Sequence, residues 1–287
     1  MIIRKETASD ITTKITNRLN HMTTILITND DGINSPGIKA AVEAASIFGK
    51  VCVVAPTNQQ TGAGRGIFGN KDLSLTPSQF EMNGSGVEAY HCDCSPALIV
   101  RHSLKTIFKD AKPDLVISGI NYGENLGFNI TNSGTVGAAL EGASFGIPGI
   151  AISKQTDISS HHKYTDQDWS VSVHFLRKFI AAMLDSKLPF DVDVLKIDIP
   201  NDSTESTDWK ITSLAKNVYY FSEIENPSLN SRLGEGKTTI KVDEKTIDKN
   251  SDIYAFYVQK VISVTPISLD MTSRASFDEL NRLLMKA

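Results

Sequence analysis

The sequence is short of cysteine, short of aromatics, has no long apolar run and carries no excess of positive charge. Its three cysteines, Cys52, Cys92 and Cys94, are an odd number, and Cys92-Asp93-Cys94 is too tight for a zinc knuckle. Neither a disulfide framework nor a cysteine zinc site is encoded, and the expected setting is the reducing cytoplasm. No segment approaches the ~18 apolar residues of a membrane span, so no membrane association is expected. With 29 Lys+Arg against 33 Asp+Glu the formal charge is −4. A binder of polymeric nucleic acid needs a basic face to neutralise many phosphates, so that class is set aside. A small phosphorylated ligand remains open, because a few backbone N–H groups and a metal can hold one.

Several nucleotide and hydrolase signatures are missing too. No Walker-type Gly-Lys-Ser/Thr occurs, and 61–66 lacks a Gly-x-Gly-x-x-Gly between strand and helix. A dinucleotide-dependent oxidoreductase is disfavoured on that ground. There is no Ser-His-Asp arrangement, no nucleophile elbow and no Asp-x-Asp of the phosphoaspartate phosphatase type, and the histidines show no metal-ligand spacing.

What is present is an ordinary globular composition over 287 residues, 40% hydrophobic and 22% charged. That length accommodates one large α/β domain with or without a subordinate lobe. Residues 1–22 carry Arg4, Lys5, Lys14 and Arg18 without an apolar core behind them, so they do not read as a secretory signal. Ile11, Ile15 and Leu19 have helical spacing, and Met22 offers an alternative start.

From 23 to 200 short apolar runs alternate with helical patterns, as in βα units on a parallel sheet. A buried strand at 25–28 runs into Asn29-Asp30-Asp31-Gly32. Ser35-Pro36 then supplies an N-cap and a proline for the first helical position. The helix so opened is striped by Ile38, Ala41, Val42, Ala45 and Phe48 and is expected to end at Gly49. Further strands are expected at 51–55, 114–118, 150–153 and 192–199. Further helices are expected after Ser95-Pro96, from Ser133-Gly134-Thr135, and over 166–184. Beyond Pro200, 237–242 and 252–258 alternate like two arms of a hairpin around a charged tip at 243–250. A strand at 261–267 and a helix capped by Ser276 complete the chain. The expectation is an α/β fold, three-layer and Rossmann-like with a mostly parallel sheet over 23–200, then a β-rich appendage over 201–287.

Ligands of open α/β sheets bind beyond the carboxyl ends of the strands, and polar residues collect there. Two adjacent carboxylates, Asp30 and Asp31, reach one point only if the backbone turns, which Gly32 makes inexpensive. Left alone they would repel; a divalent cation resolves this, and oxygen ligands favour magnesium, manganese or calcium. A helix cap or Asx-turn accounts for the same residues. Asn121 offers an amide oxygen or is a turn asparagine. Thr61 offers a hydroxyl, and Gly62 lets backbone approach an anion or simply loosens a loop. Ser133-Gly134-Thr135 at a helix start suits phosphate through free N–H groups and the helix dipole, and equally suits plain capping.

Three stretches, ILITNDDGINSPGIKA (25–40), VCVVAPTNQQTGAGRGI (51–67) and PDLVISGINYGENLGFNITNSGTVGAALEGASFGIPGIAIS (113–153), resemble the SurE family of stationary-phase survival nucleotidases. Thinner likenesses at 195–200 and 264–267 extend this over nearly the whole chain. The resemblance implies a metal-dependent phosphomonoesterase that removes phosphate from nucleoside monophosphates, a 5'-nucleotidase or acid-phosphatase-like hydrolase. It implies one divalent ion per subunit, Mg2+ or Mn2+ with Ca2+ as a non-native occupant, on Asp30, Asp31, Thr61 and Asn121. It places phosphate against Asn125, Ser133, Gly134 and Thr135, with Asn29 and Gly62 alongside, and catalysis on Asp30, Asp31 and Asn125. It implies a homodimer or homotetramer joined through the C-terminal arm. Thr61 departs from the usual serine, and Gly64 stands where a second serine is common. A non-catalytic nucleotide-binding protein on the same fold is the alternative.

Overall fold

The computed structural model describes residues 22–285 apart from 83 and 162. The helix considered for 1–22 thus falls, Met22 excepted, outside the described residues. The first half runs β1 (Thr24–Thr28), α1 (Pro36–Ala45), β2 (Lys50–Pro56), β3 (Thr76–Pro77), β4 (Glu81–Met82), β5 (Ser85–Gly86), β6 (Glu88–Cys92) and α2 (Pro96–Lys105). It continues with β7 (Leu115–Tyr122), α3 (Gly134–Ala143), β8 (Gly149–Lys154), α4 (Ser170–Asp185) and β9 (Val194–Ile199). The remainder holds β10 (Trp209–Ile211), β11 (Tyr220–Glu223), β12 (Lys237–Ile240), β13 (Ile262–Ile267) and α5 (Phe277–Leu284).

Nine strands form one sheet in the order β10-β13-β9-β8-β7-β1-β2-β6-β3. The six central strands, β6 to β9, are parallel, and β13 joins β9 antiparallel. Strand-face alternation sorts the core into layers. Ile25 and Ile27 of β1 face α1 and α4, whereas Leu26 faces α2 and α3. The three-layer α/β arrangement is therefore as expected, and both Ser-Pro devices work as N-caps: Ser35 Oγ accepts from Gly37 N–H at 3.2 Å and Ser95 Oγ from Leu98 N–H at 3.4 Å.

Four details differ from expectation. Helix α1 stops at Ala45, short of Gly49: the Ser46 hydroxyl also takes the Val42 carbonyl at 2.7 Å, and the Phe48 N–H then reaches the Ala45 carbonyl at 2.9 Å, three residues back instead of four. Strand β7 continues past Ser118 to Tyr122, with a register shift between Ser118 and Asn121, so Asn121 lies on a bulged strand and not in the loop after it. The hairpin partner of β12 is β11, while 252–258, expected as its second arm, winds into a π turn at Tyr254–Val258. Finally, β13 and β10, from beyond Pro200, extend the same sheet as the first half.

Candidate functional site

The order in which strands are added reverses between β1 and its parallel neighbour β7: β2 and β6 lie on one side, β8 and β9 on the other. A crevice outside the strand ends opens at such a point. The turn after β1 and the end of β7 meet there. Asn29 closes the turn with its own amide, accepting the Gly32 N–H and donating to the Gly32 carbonyl, both at 3.1 Å. Asp30 and Asp31 are held inward and are 6% and 2% exposed.

Each carboxylate has its own set of donors. Asp30 Oδ1 accepts the Thr135 hydroxyl, and the backbone N–H groups of Gly134 and Thr135 also support it. The start of α3, expected as a phosphate cradle, is in this structure turned onto a carboxylate, with its dipole favouring the negative charge. Gly134 is required for that approach, since a Cβ there would stand 2.6 Å from Asp30 Cβ and 2.7 Å from Oδ2. Asp31 Oδ2 accepts the Tyr122 N–H and Oδ1 the Gln59 amide, both at 3.1 Å. Burial pushes both carboxyls above their ordinary value. The Thr135 hydroxyl and backbone N–H groups pull Asp30 back, while the charge of Asp30 adds to burial at Asp31 and drives it well up.

Most of the remaining sequence candidates are held by partners of their own. The Gln60 N–H donates to the Asp30 carbonyl at 2.7 Å, and the exposed Thr61 and Gly62 follow Gln60 in the chain. Gly64 N–H donates to the Asn132 carbonyl at 3.0 Å. A Cβ at 64, where φ is +54°, would meet the Thr131 carbonyl oxygen at 2.9 Å, so this loop has no room for the serine common in the family. Asn121 Nδ2 donates to the Tyr122 and Gly123 carbonyls at 3.2 and 2.7 Å, leaving Oδ1 as the oxygen it can offer. Asn125 Nδ2 donates to Ser153 Oγ at 2.9 Å. Ser133 caps α3, accepting the Val136 N–H at 3.1 Å.

The donor chemistry fits a hard divalent cation. The two buried carboxylates, the Asn121 amide oxygen and the Thr61 hydroxyl would together make an all-oxygen set. Among the described residues no group of three or more His, Cys, Asp or Glu side chains is arranged to hold a metal. The carboxylate pair therefore needs neutral oxygens to complete any shell.

Two contributors carry no signal in the sequence. Gln59 bridges Asp31 to the His161 carbonyl, at 3.1 and 2.5 Å, and the Tyr164 hydroxyl donates to the Asp31 carbonyl at 2.5 Å. Both tie the turn to the segment around 161–164, a polar stretch with neither periodicity nor motif.

Comparison with known proteins bears on this geometry. A family model described as survival protein SurE matches residues 25–220. A 5'-nucleotidase SurE of Thermococcus gammatolerans is 38% identical over 265 residues, covering 91% of this chain and 95% of the relative. One of Methanothrix thermoacetophila is 33% identical over 270 residues, covering 92% and 99%. A crystal structure of the SurE protein from Aquifex aeolicus superposes with a TM-score of 0.69 at 30% identity, covering 91% of this chain and 99% of that one.

Proposed function

The chain belongs to the SurE family, and we propose on that premise that it is a metal-dependent phosphomonoesterase hydrolysing nucleoside monophosphates to nucleoside and phosphate. The observation that carries this reading is the pair of buried carboxylates, Asp30 and Asp31, at the switch point and against the start of α3. The name 5'-nucleotidase, borne by relatives spanning 91% of the chain, supports the substrate class.

In this reading Asp30, Asp31, Thr61 and Asn121 hold one divalent ion, magnesium or manganese, with calcium as a non-native occupant. Such an ion supplies Lewis-acid charge for a phosphate oxygen and makes water a competent nucleophile near neutral pH. The chain's own groups do the rest. Asp30, the first carboxylate after β1, is the candidate general base. Asn125 and the first turn of α3, whose Thr135 hydroxyl and Gly134 N–H rest on Asp30 in this structure, would turn with Ser133 to the phosphate oxygens, with Asn29 and Gly62 at the margin. Positioning and preorganised charge then supply most of the rate, as in other phosphoryl transfers.

Replacing Asp31 by Asn tests the reading. Manganese-dependent phosphate release from AMP should fall ~100-fold or more, the scale of losing a principal charge contact. Full activity in that variant, or in excess chelator, overturns the metal mechanism. Tight nucleotide binding by the parent without phosphate release would instead mark a non-catalytic binder.

Two further assignments go with this reading. Phe277, Leu280, Leu283 and Leu284 of α5 and Leu229 and Leu233 between β11 and β12 are exposed, which supports association of copies into a dimer or tetramer through the C-terminal segment. The three cysteines are unpaired thiols, which supports a reducing compartment such as the cytoplasm. No helix among the described residues is long and apolar enough to cross a membrane.

A further inference from the structure

On the face of the sheet towards α3, the end of β9 is polar. Lys196 and Asp198, two residues apart and therefore on one face, are both wholly buried. Their strand neighbours on that face are small or hydroxylated: Ala151 and Ser153 on β8, Thr265 and Ser263 on β13. Asp252, from the turn before Tyr254–Val258, closes the cluster and is also wholly buried.

The bonds of this cluster converge on one short loop. The Lys196 ammonium donates to the Asn125 carbonyl at 2.8 Å, pairs with Asp198 Oδ2 and lies 3.2 Å from Asp252 Oδ2, which uses all three of its protons. Asp198 Oδ1 accepts the Asn125 N–H at 2.7 Å. Asp252 Oδ2 accepts the Gly127 N–H at 3.1 Å, and its Oδ1 accepts the Ala215 and Ile253 N–H groups at 2.9 Å each. Both backbone groups of Asn125 are therefore fixed by β9. Its side-chain amide is fixed by Ser153, the residue in register with Asp198.

Buried ions are poor cement, because apolar residues of similar volume hold a core as well or better. What they give in return here is directional: two bonds to one residue and a third two positions on. We propose that Lys196, held between Asp198 and Asp252, is a positioning residue for Asn125, setting its backbone so that the amide meets the phosphate of the substrate. This rests on Asn125 being a phosphate contact, as assigned above, and extends that assignment to groups that touch neither substrate nor metal.

A double-mutant cycle on the manganese-loaded full chain tests it, with kcat/KM for AMP as the readout. Lys196→Met should lower kcat/KM ~30-fold in the parent, the scale of misplacing a contact by about an ångström. In an Asn125→Ala background the same change should cost less than ~3-fold, because the positioned group is gone. Equal losses in both backgrounds overturn the positioning role and leave the cluster merely structural. An Asn125→Ala chain as active as the parent overturns the assignment of Asn125 and this proposal with it. Asp198→Asn keeps the shape and an oxygen for the Asn125 N–H, and carries the same cycle with a smaller loss should Lys196→Met not fold. Amide hydrogen exchange over 121–130 gives a readout independent of activity. It should quicken in both cluster variants, and unchanged protection would show that the cluster does not hold the loop. A parent chain that releases no phosphate would overturn the nucleotidase reading, while exchange still decides whether the clamp exists.

Discussion

Asp31 stores an electrostatic penalty that the folded chain does not relieve on its own. Its carboxyl lies well above the ordinary carboxylate value because of burial and then the charge of Asp30. The folded, metal-free chain consequently keeps a proton that the unfolded chain releases near pH ~4. Raising the pH through the folded value therefore removes stability, and the full penalty persists above it. Asp31→Asn lacks this titration, so in chelator its Tm advantage over the parent should widen from pH 5 towards pH 8. Manganese should raise the parent's Tm more at the upper end, since the ion requires the ionised carboxylate. Scanning fluorimetry across that range checks both, and an advantage that shrinks with pH would contradict the assignment. That Asp30 and Asp31 belong to a site is legible in their adjacency before a glycine. The partners that bury them are not: Gln59 and Tyr164 reach the turn through tertiary contacts that no spacing announces.

Helix α3 does two things with its first turn, capping itself through Ser133 and supporting Asp30 through Gly134 and Thr135. Ser133→Ala should remove about 1 kcal/mol of stability, the ordinary worth of such a cap, measurable by urea unfolding. A larger fall in kcat/KM than in stability would show that the hydroxyl also serves the phosphate. Elements opened by Ser-Pro or by a capping serine were legible because their signal is local. The segment at 252–258 was not. Its alternation of apolar residues suits a strand, yet Ile253, Ala255 and Phe256 are buried equally well by a turn of helix. The choice is made by Asp252, whose Oδ1 takes the N–H groups of Ile253 and Ala215 and winds the chain there. Strand β7 outran its expected end for a related reason: neighbouring β8 keeps pairing with Asn121 and Tyr122 after the register shift.

For the whole molecule, the division expected near 200 cuts across a sheet. Strand β9 is paired by β13, and β10 pairs with β13 in turn. A chain ended at residue 200 would leave β9 as an open edge and uncover the buried Ile197 and Ile199. Light scattering should therefore find the full chain as a defined dimer or tetramer and the truncated chain as heterogeneous aggregate. A monodisperse, folded 1–200 fragment would show instead that the first part is self-sufficient. The same topology sets a timetable for the chain as it is made. Every residue assigned above to metal or phosphate has been synthesised by position 135. The loop bearing Asn125 is pinned only once Lys196 and Asp198 have emerged, and Gly127 only once Asp252 has. A nascent chain thus carries the proposed ligands before it owns the contacts that would hold them in place, the last of which arrives with Asp252.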